Sequence, residues 1–223
     1  MSWFTQFLSS SVGKKVLMAL TGLFLCSFLV IHMAGNFQLL HHDNGLAFNE
    51  YAAFMTGSPL IKTVSYLLYL SILLHAVQGI IIALSNQKAR PQKYAYTKAG
   101  ASSSWASRNM AILGSIIFIF LVIHMKSFWY EMHFGGIGTD ANGHKNLYEV
   151  VKAAFHQWWY VAFYIVALIA LAFHLIHGFQ SAFRSLGLMH NKYTPIINGL
   201  GIIFSIGVCL GFAIQPLYIL LMT

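Results

Sequence analysis

FLVIHM, residues 28–33, recurs letter for letter as residues 120–125. Both copies lie inside long apolar stretches, so each sets one histidine, His32 and His124, at membrane depth. A second echo follows each copy, His75-x-x-x-Gly79 and His174-x-x-x-Gly178, again within apolar sequence. Imidazole in hydrocarbon is costly unless it meets a partner, so four of them in two similar pairs mark a functional constellation. His32 corresponds to His124 and His75 to His174. A helical hairpin repeated in parallel predicts a four-helix bundle with a pseudo-two-fold axis along the membrane normal.

The composition agrees. Of 223 residues 58% are hydrophobic and only 8% charged, against roughly 25% charged in soluble domains. Crossing a hydrocarbon core takes about 20 apolar residues. Five segments qualify, at approximately 14–38, 60–86, 108–132, 156–184 and 195–222, and make an all-α integral membrane protein of one domain. The first run continues into a coherent bundle and reads as a span, not a cleavable leader. The fourth is longer than a bare span and is expected to tilt or project.

Charge sets the orientation. Lys14, Lys15, Lys88, Arg90, Lys93, Lys98, Arg108, Arg184 and Lys192 fall on one side, and Lys62, Lys126, Lys145 and Lys152 on the other. By the positive-inside rule the N-terminus is cytoplasmic and the C-terminus outside. All five acids (Asp43, Glu50, Glu131, Asp140, Glu149) lie on the poorer side. Basic residues spread over short membrane loops do not form a nucleic-acid surface. Cys26 and Cys209 fall within spans, with no spacing that points to a disulfide or a metal site.

Residues 1–13 read as an amphipathic lead-in, with Trp3 and Phe4 suited to an interface. Pro59 stands at a natural first-turn position. The glycine-rich connection 133–149 is expected to be mobile. Trp129, Tyr130, Trp158, Trp159 and Tyr160 gather at span ends as an aromatic belt would. The fifth span has no histidine. Its Gly207-x-x-x-Gly211 predicts a close-packing helix outside the chemical core.

Depth sorts the histidines. At a rise of 1.5 Å per residue, His32 lies about 25 Å from Lys15 and His124 about 24 Å from Arg108. On the same rise His75 lies about 20 Å from Lys88 and His174 about 15 Å from Arg184. His32 therefore matches His124, and His75 matches His174. Bis-histidine haem is what such pairing supports, one imidazole from each of two facing helices. Two b haems with both axial positions filled favour electron transfer over chemistry at iron. Gly79 and Gly178 follow their histidines by one turn and would let a flat macrocycle approach the helix. A lone intramembrane histidine is more often a helix–helix hydrogen bond; four, repeated and depth-matched, favour iron. Two levels of two histidines do not make one tetrahedral zinc site. His177, one turn from His174, is an alternative ligand, and only His174 keeps the H-x-x-x-G spacing. His41, His42, His133, His144, His156 and His190 lie at span ends or in loops, where surface imidazole is the default.

With one histidine in each of the first four of five spans, an internal N-terminus and H-x-x-x-G in span four, nearly the whole chain resembles the cytochrome b membrane anchor of succinate dehydrogenase and fumarate reductase. The match is to the single-polypeptide, five-helix, di-haem type. Ser104-x-x-Ser107-Arg108-x-Met110, leading into span three, looks like its Bacteroidetes members. The resemblance implies that His75 and His174 bind a proximal haem near the cytoplasm and His32 and His124 a distal one. It implies a flavoprotein subunit with FAD that oxidises succinate in the tricarboxylic acid cycle, and an iron-sulfur subunit that passes electrons to the haems. Menaquinone would react near the distal haem, in a bacterial inner membrane. It also makes Trp105, Arg108 and Arg184 candidates for propionate contacts, since arginine suits carboxylates, and Glu50 a candidate for the quinone's protons. Relatives with an acidic residue two positions before the span-four ligand have Ala172 here, so no proton relay is expected at that place. The chain carries no dicarboxylate or flavin motif and is expected to be a component, not an enzyme alone. Direction of turnover, quinone identity and pairing of complexes into dimers are left open.

Two other readings compete. The di-haem anchor of another respiratory oxidoreductase would distribute its histidines differently among helices. A haem-free, proton-coupled transporter would need acids at midplane, where this chain has none.

Overall fold

The structure, a computed structural model, describes residues 2–89 and 103–222. Arg90, Lys93 and Lys98 and the Phe4 side chain lie outside the described residues. The architecture is all-α. Among the described residues there is no strand, only an isolated bridge between Thr139 and Lys145.

Five helical segments are long and apolar enough to cross a membrane, Ser11–Leu40, Pro59–Lys88, Met110–Phe134, Trp158–Ser185 and Thr194–Leu221. A short α1 (Trp3–Ser9) comes first and breaks at Ser10, whose hydroxyl accepts from the Gly13 N–H and caps α2 (Ser11–Asn36). A 3-10 turn, Phe37–Leu40, ends that span. The connection that follows is not bare loop: α3 (Leu46–Gly57) lies in it, its N-terminus held by both Asp43 carboxylate oxygens. Pro59 opens α4 (Pro59–Lys88) at a position whose N–H would be unpaired anyway.

Span three begins two residues later than its charge suggests. Ser104 caps a single turn, α5 (Trp105–Arg108), and Asn109 breaks the chain before α6 (Met110–His124). Directly after His124 the helix widens into a π turn, Met125–Tyr130, then closes as α7 (Glu131–Phe134). An amphipathic α8 (Leu147–Phe155) buries Leu147, Val151 and Phe155 at a four-residue spacing. Span four is α9 (Trp158–Ser185) and span five α10 (Thr194–Leu221). Span four is a long helix of 28 residues, as expected, and only His156 and Gln157 of the expected stretch fall in the turn before it.

The expected mobile connection is held in place. Asp140 accepts the N–H groups of Asn142 and His144, and Lys145 Nζ reaches the Met132 carbonyl at 2.7 Å. Asn49, fully buried on α3, donates to Asn146 Oδ1 at 3.0 Å and accepts from the Tyr148 N–H at 2.9 Å. Together α3 and α8 cap the end of the bundle that carries the acids, here the acidic end; the other is the basic end.

In the bundle α2 packs on α4, α4 on α6, α6 on α9, and α9 back on α2, which closes a ring of four helices. The diagonals, α2/α6 and α4/α9, make no comparable backbone approach. Packing is concentrated toward the ends. A large apolar cluster with Phe128, Phe155, Tyr160 and Tyr164 fills the acidic end, and Ala106, Leu113 and Ala170 form a small one at the basic end. Along its whole length α4 buries only Leu68, and α6 buries only Leu113, which belongs to the basic-end cluster.

The fifth span packs on α9 and α2 through a stripe that includes Gly201, Ser205, Val208 and Gly211. A Cβ at Gly211 would run into the Met33 sulfur, whereas one at Gly207 would meet nothing. The Gly207–Gly211 pair is thus not a shared contact surface; only Gly211 is. Tyr160 also departs from the expected belt. It is 7% exposed and donates to Ser127, while Trp158 and Trp159 stay open at 72% and 56%.

Candidate functional site: two histidine levels across the bundle

The two diagonals of the ring carry the four histidines. His32 on α2 faces His124 on α6 with ring centroids 5.7 Å apart. His75 on α4 faces His174 on α9 at 6.2 Å. A transition metal–imidazole bond is about 2 Å long, so two such bonds plus two half-rings separate centroids by about 6 Å. Both pairs meet that spacing. His177 does not face His75. It lines a cleft of about 280 Å³ with Ser104, Trp105, Phe173 and Gln180. Of the two sequence alternatives, His174 is the one brought to the opposite helix.

The levels are locked to one another by glycines that the sequence reading missed. A Cβ at Gly22 would stand 3.3 Å from His75 Cε1, and one at Gly114 would stand 3.9 Å from His174 Cε1. Each glycine lies ten residues before the histidine of the repeat, about 15 Å along the helix. The repeat is therefore Gly-x9-His. One copy of it touches both levels, and the levels lie about 15 Å apart. The end-charge estimate gave a smaller gap because Lys15, Lys88, Arg108 and Arg184 do not stand at one height. At Gly79 a Cβ would meet only the Met18 methyl, at 3.7 Å, and at Gly178 nothing.

Neighbours orient the rings. At the level nearer the basic end, Thr21 Oγ1 donates to the Leu17 carbonyl at 2.8 Å, which commits its proton. Its lone pair is left to accept from His75 Nδ1 at 3.2 Å. At the other level Tyr160 donates to Ser127 at 2.8 Å, and Tyr164 lies 3.4 Å from Tyr160 and 3.0 Å from His124 Nδ1. With His124 Nδ1–H as donor, the chain runs to Tyr164, then Tyr160, then Ser127. With Nδ1 as the donor in both contacts, Nε2 keeps its lone pair, the tautomer a metal ligand needs. His174 Nδ1 is buried with no hydrogen-bond partner among the described residues.

Aromatic rings wall the level nearer the acidic end. Phe28 stacks on His32 at 5.2 Å and Phe120 on His124 at 5.6 Å, the same contact made twice by the repeated hexapeptide. Phe212 of α10 and Phe128 of the π turn add edges at 5.5 and 5.4 Å. At the other level Thr21 and Gly22 stand against His75 and Gly114 against His174. The donor set and its spacing fit an iron-bearing macrocycle at each level, and the glycines leave room for a flat body at the level nearer the basic end.

The remaining candidates divide by end. Trp105 packs on Phe173, next to His174, with centroids 5.4 Å apart. Arg108 donates to the Ser103 carbonyl, and Arg184 is exposed in the last turn of α9. All three are at the basic end, the end nearer the His75–His174 level. Glu50 is exposed on α3, at the acidic end, and the structure gives it no contact with His32 or His124.

Comparison with protein-family models, with curated proteins and with solved structures finds no match.

Proposed function

We propose that the chain is the membrane-anchor electron-transfer subunit of a succinate:quinone oxidoreductase, with two b haems held by His75/His174 and His32/His124. The observation that carries this reading is the facing of the histidines across both diagonals at metal-ligand spacing. Bound there, each haem supplies reversible one-electron transfer. The chain's own residues do the rest. Two imidazoles at each level would hold the iron, Thr21 and Tyr164 orient the His75 and His124 rings, and Gly22, Gly79, Gly114 and Gly178 leave room between helices. Arg108, Arg184 and Trp105 stand where carboxylates would emerge at the basic end. That end carries most of the positive charge and faces the cytoplasm by the positive-inside rule, so it is the docking side for an iron-sulfur subunit bound to an FAD-bearing flavoprotein. A quinone, menaquinone by the resemblance, exchanges electrons at the acidic end, where Glu50 is the candidate to exchange its protons.

The test is affinity purification of the full-length chain from its native membrane. Co-purified flavin and iron-sulfur subunits, with haem bands that succinate reduces, are expected. Haem bands that respond to formate or hydrogen, and not to succinate, would reassign the partner while keeping the cytochrome.

A further inference from the structure

The fifth span carries a set of buried polar groups that the protein itself leaves unpaired. Gln215 is 3% exposed, and its Nε2 has no hydrogen-bond partner among the described residues. The Tyr218 hydroxyl, one turn further along the same helix, is likewise buried without a partner. Pro216 lies between them inside the helix and has no N–H to give, so the carbonyl of Phe212, four residues earlier, lacks its helical donor. A donor amide, a hydroxyl that donates or accepts, and an open carbonyl thus fall within two turns. Buried polar groups in proteins are almost always paired, and those that are not call for a specific explanation.

Position supplies one. The Phe212 ring packs on His32 at 5.5 Å, and Gly211 lets α10 close onto Met33 and Phe37 beside it. Tyr218 packs edge-on with His42 at 6.3 Å. The unpaired groups therefore begin one turn beyond the His32–His124 level and run toward the acidic end, between aromatic rings. A ligand suited to them has a flat apolar body and oxygen atoms that accept from an amide and a hydroxyl. We infer that Gln215 and Tyr218 form a polar socket that donates to the oxygens of a quinone head group, with the Phe212 carbonyl placed to accept from a hydroxyl of its reduced, quinol form. This rests on the cytochrome reading above and gives the fifth span a binding role where packing alone was expected.

The test is calorimetric titration of the purified full-length protein in detergent with 2-methyl-1,4-naphthoquinone bearing one prenyl unit. Haem spectra are recorded on the same samples. Wild-type protein is expected to bind at one saturable site. Gln215→Leu and Tyr218→Phe should each weaken binding about tenfold, and Ile214→Leu on the exposed side of the helix should leave it unchanged. Should Gln215→Leu fail to fold, Tyr218→Phe, which removes one oxygen, decides. Wild-type binding by the oxygen-deleted variants overturns the socket, as does a haem-loaded wild type that binds no quinone; in either case the groups hold water only. Haem-free protein that still binds through Gln215 would sink the cytochrome reading and leave the socket standing.

Discussion

The two histidine levels use the same donor set in opposite surroundings. Toward the acidic end, His32 and His124 are walled by Phe28, Phe120, Phe128 and Phe212, and a chain of hydroxyls runs from His124 into the packed cap. Toward the basic end, His75 and His174 stand against glycines and one threonine, close to an open cleft. Shape at the first level is set by large side chains that cannot move far, and at the second by side chains that are missing. The difference predicts unequal tolerance to mutation.

The largest expected effect comes from the ligands. Leucine at His75 or His174 should cut the haem content from two per chain to one, by pyridine haemochrome, and leave the aromatic-walled level loaded. Leucine at His32 or His124 should do the converse. Loss of both haems from every variant would mean that the levels are not independent. Glycine substitutions sharpen the contrast. Gly22→Ala brings a methyl to 3.3 Å from His75, tighter than ordinary contact, while Gly114→Ala stays at 3.9 Å from His174. Haem loading at the basic-end level should fall for the first and hold for the second.

Smaller effects follow from the neighbours that orient the rings. Removing such a partner typically costs 10–100-fold in metal affinity or activity. Tyr164→Phe should loosen the acidic-end haem by about tenfold, read as loss during competition with apomyoglobin. Thr21→Val should act the same way on the other level alone.

The smallest prediction concerns the cap, which lies away from both pairs. Asn49→Ala leaves the Tyr148 N–H and Asn146 without their buried partner and should lower stability by about 2 kcal/mol, seen in chemical denaturation with haem content unchanged. Desolvation alone would raise the Asp140 pKa, but the N–H groups of His144 and Asn142 and the Asn49 amide outweigh it and hold it below the usual aspartate value. Its contribution is therefore complete above the ordinary carboxylate range and lost as pH falls through the lowered value. Hydrogen exchange in residues 140–146 should speed up only in strong acid.

Much of this was legible in one line of sequence. The hexapeptide repeat, the four histidines and the charge asymmetry lead to five spans and to the pairing that the diagonals display, because apolar length and histidine depth are local properties. The cap was not legible. Leu46–Gly57 and Leu147–Phe155 are short helices whose stability comes from packing on each other through Asn49, a contact between residues about a hundred positions apart. Gly22 and Gly114 could have been found, since they extend the repeat by ten residues. Tyr164 could not, because nothing in WWYVAFYIV marks which tyrosine turns inward. Glu50 is a candidate by resemblance alone; the structure sets it on an exposed face of α3, while its neighbour Asn49 is buried.

The central claim is that the two facing pairs are iron ligands. The measurement that tests it most directly is a dithionite-reduced minus oxidised spectrum of the purified protein, with haem quantified per chain. Two b-type haems, lost one at a time when His75 or His124 is replaced, are the predicted result. A well-folded, haem-free protein would contradict it and leave the four histidines to a proton-coupled transporter.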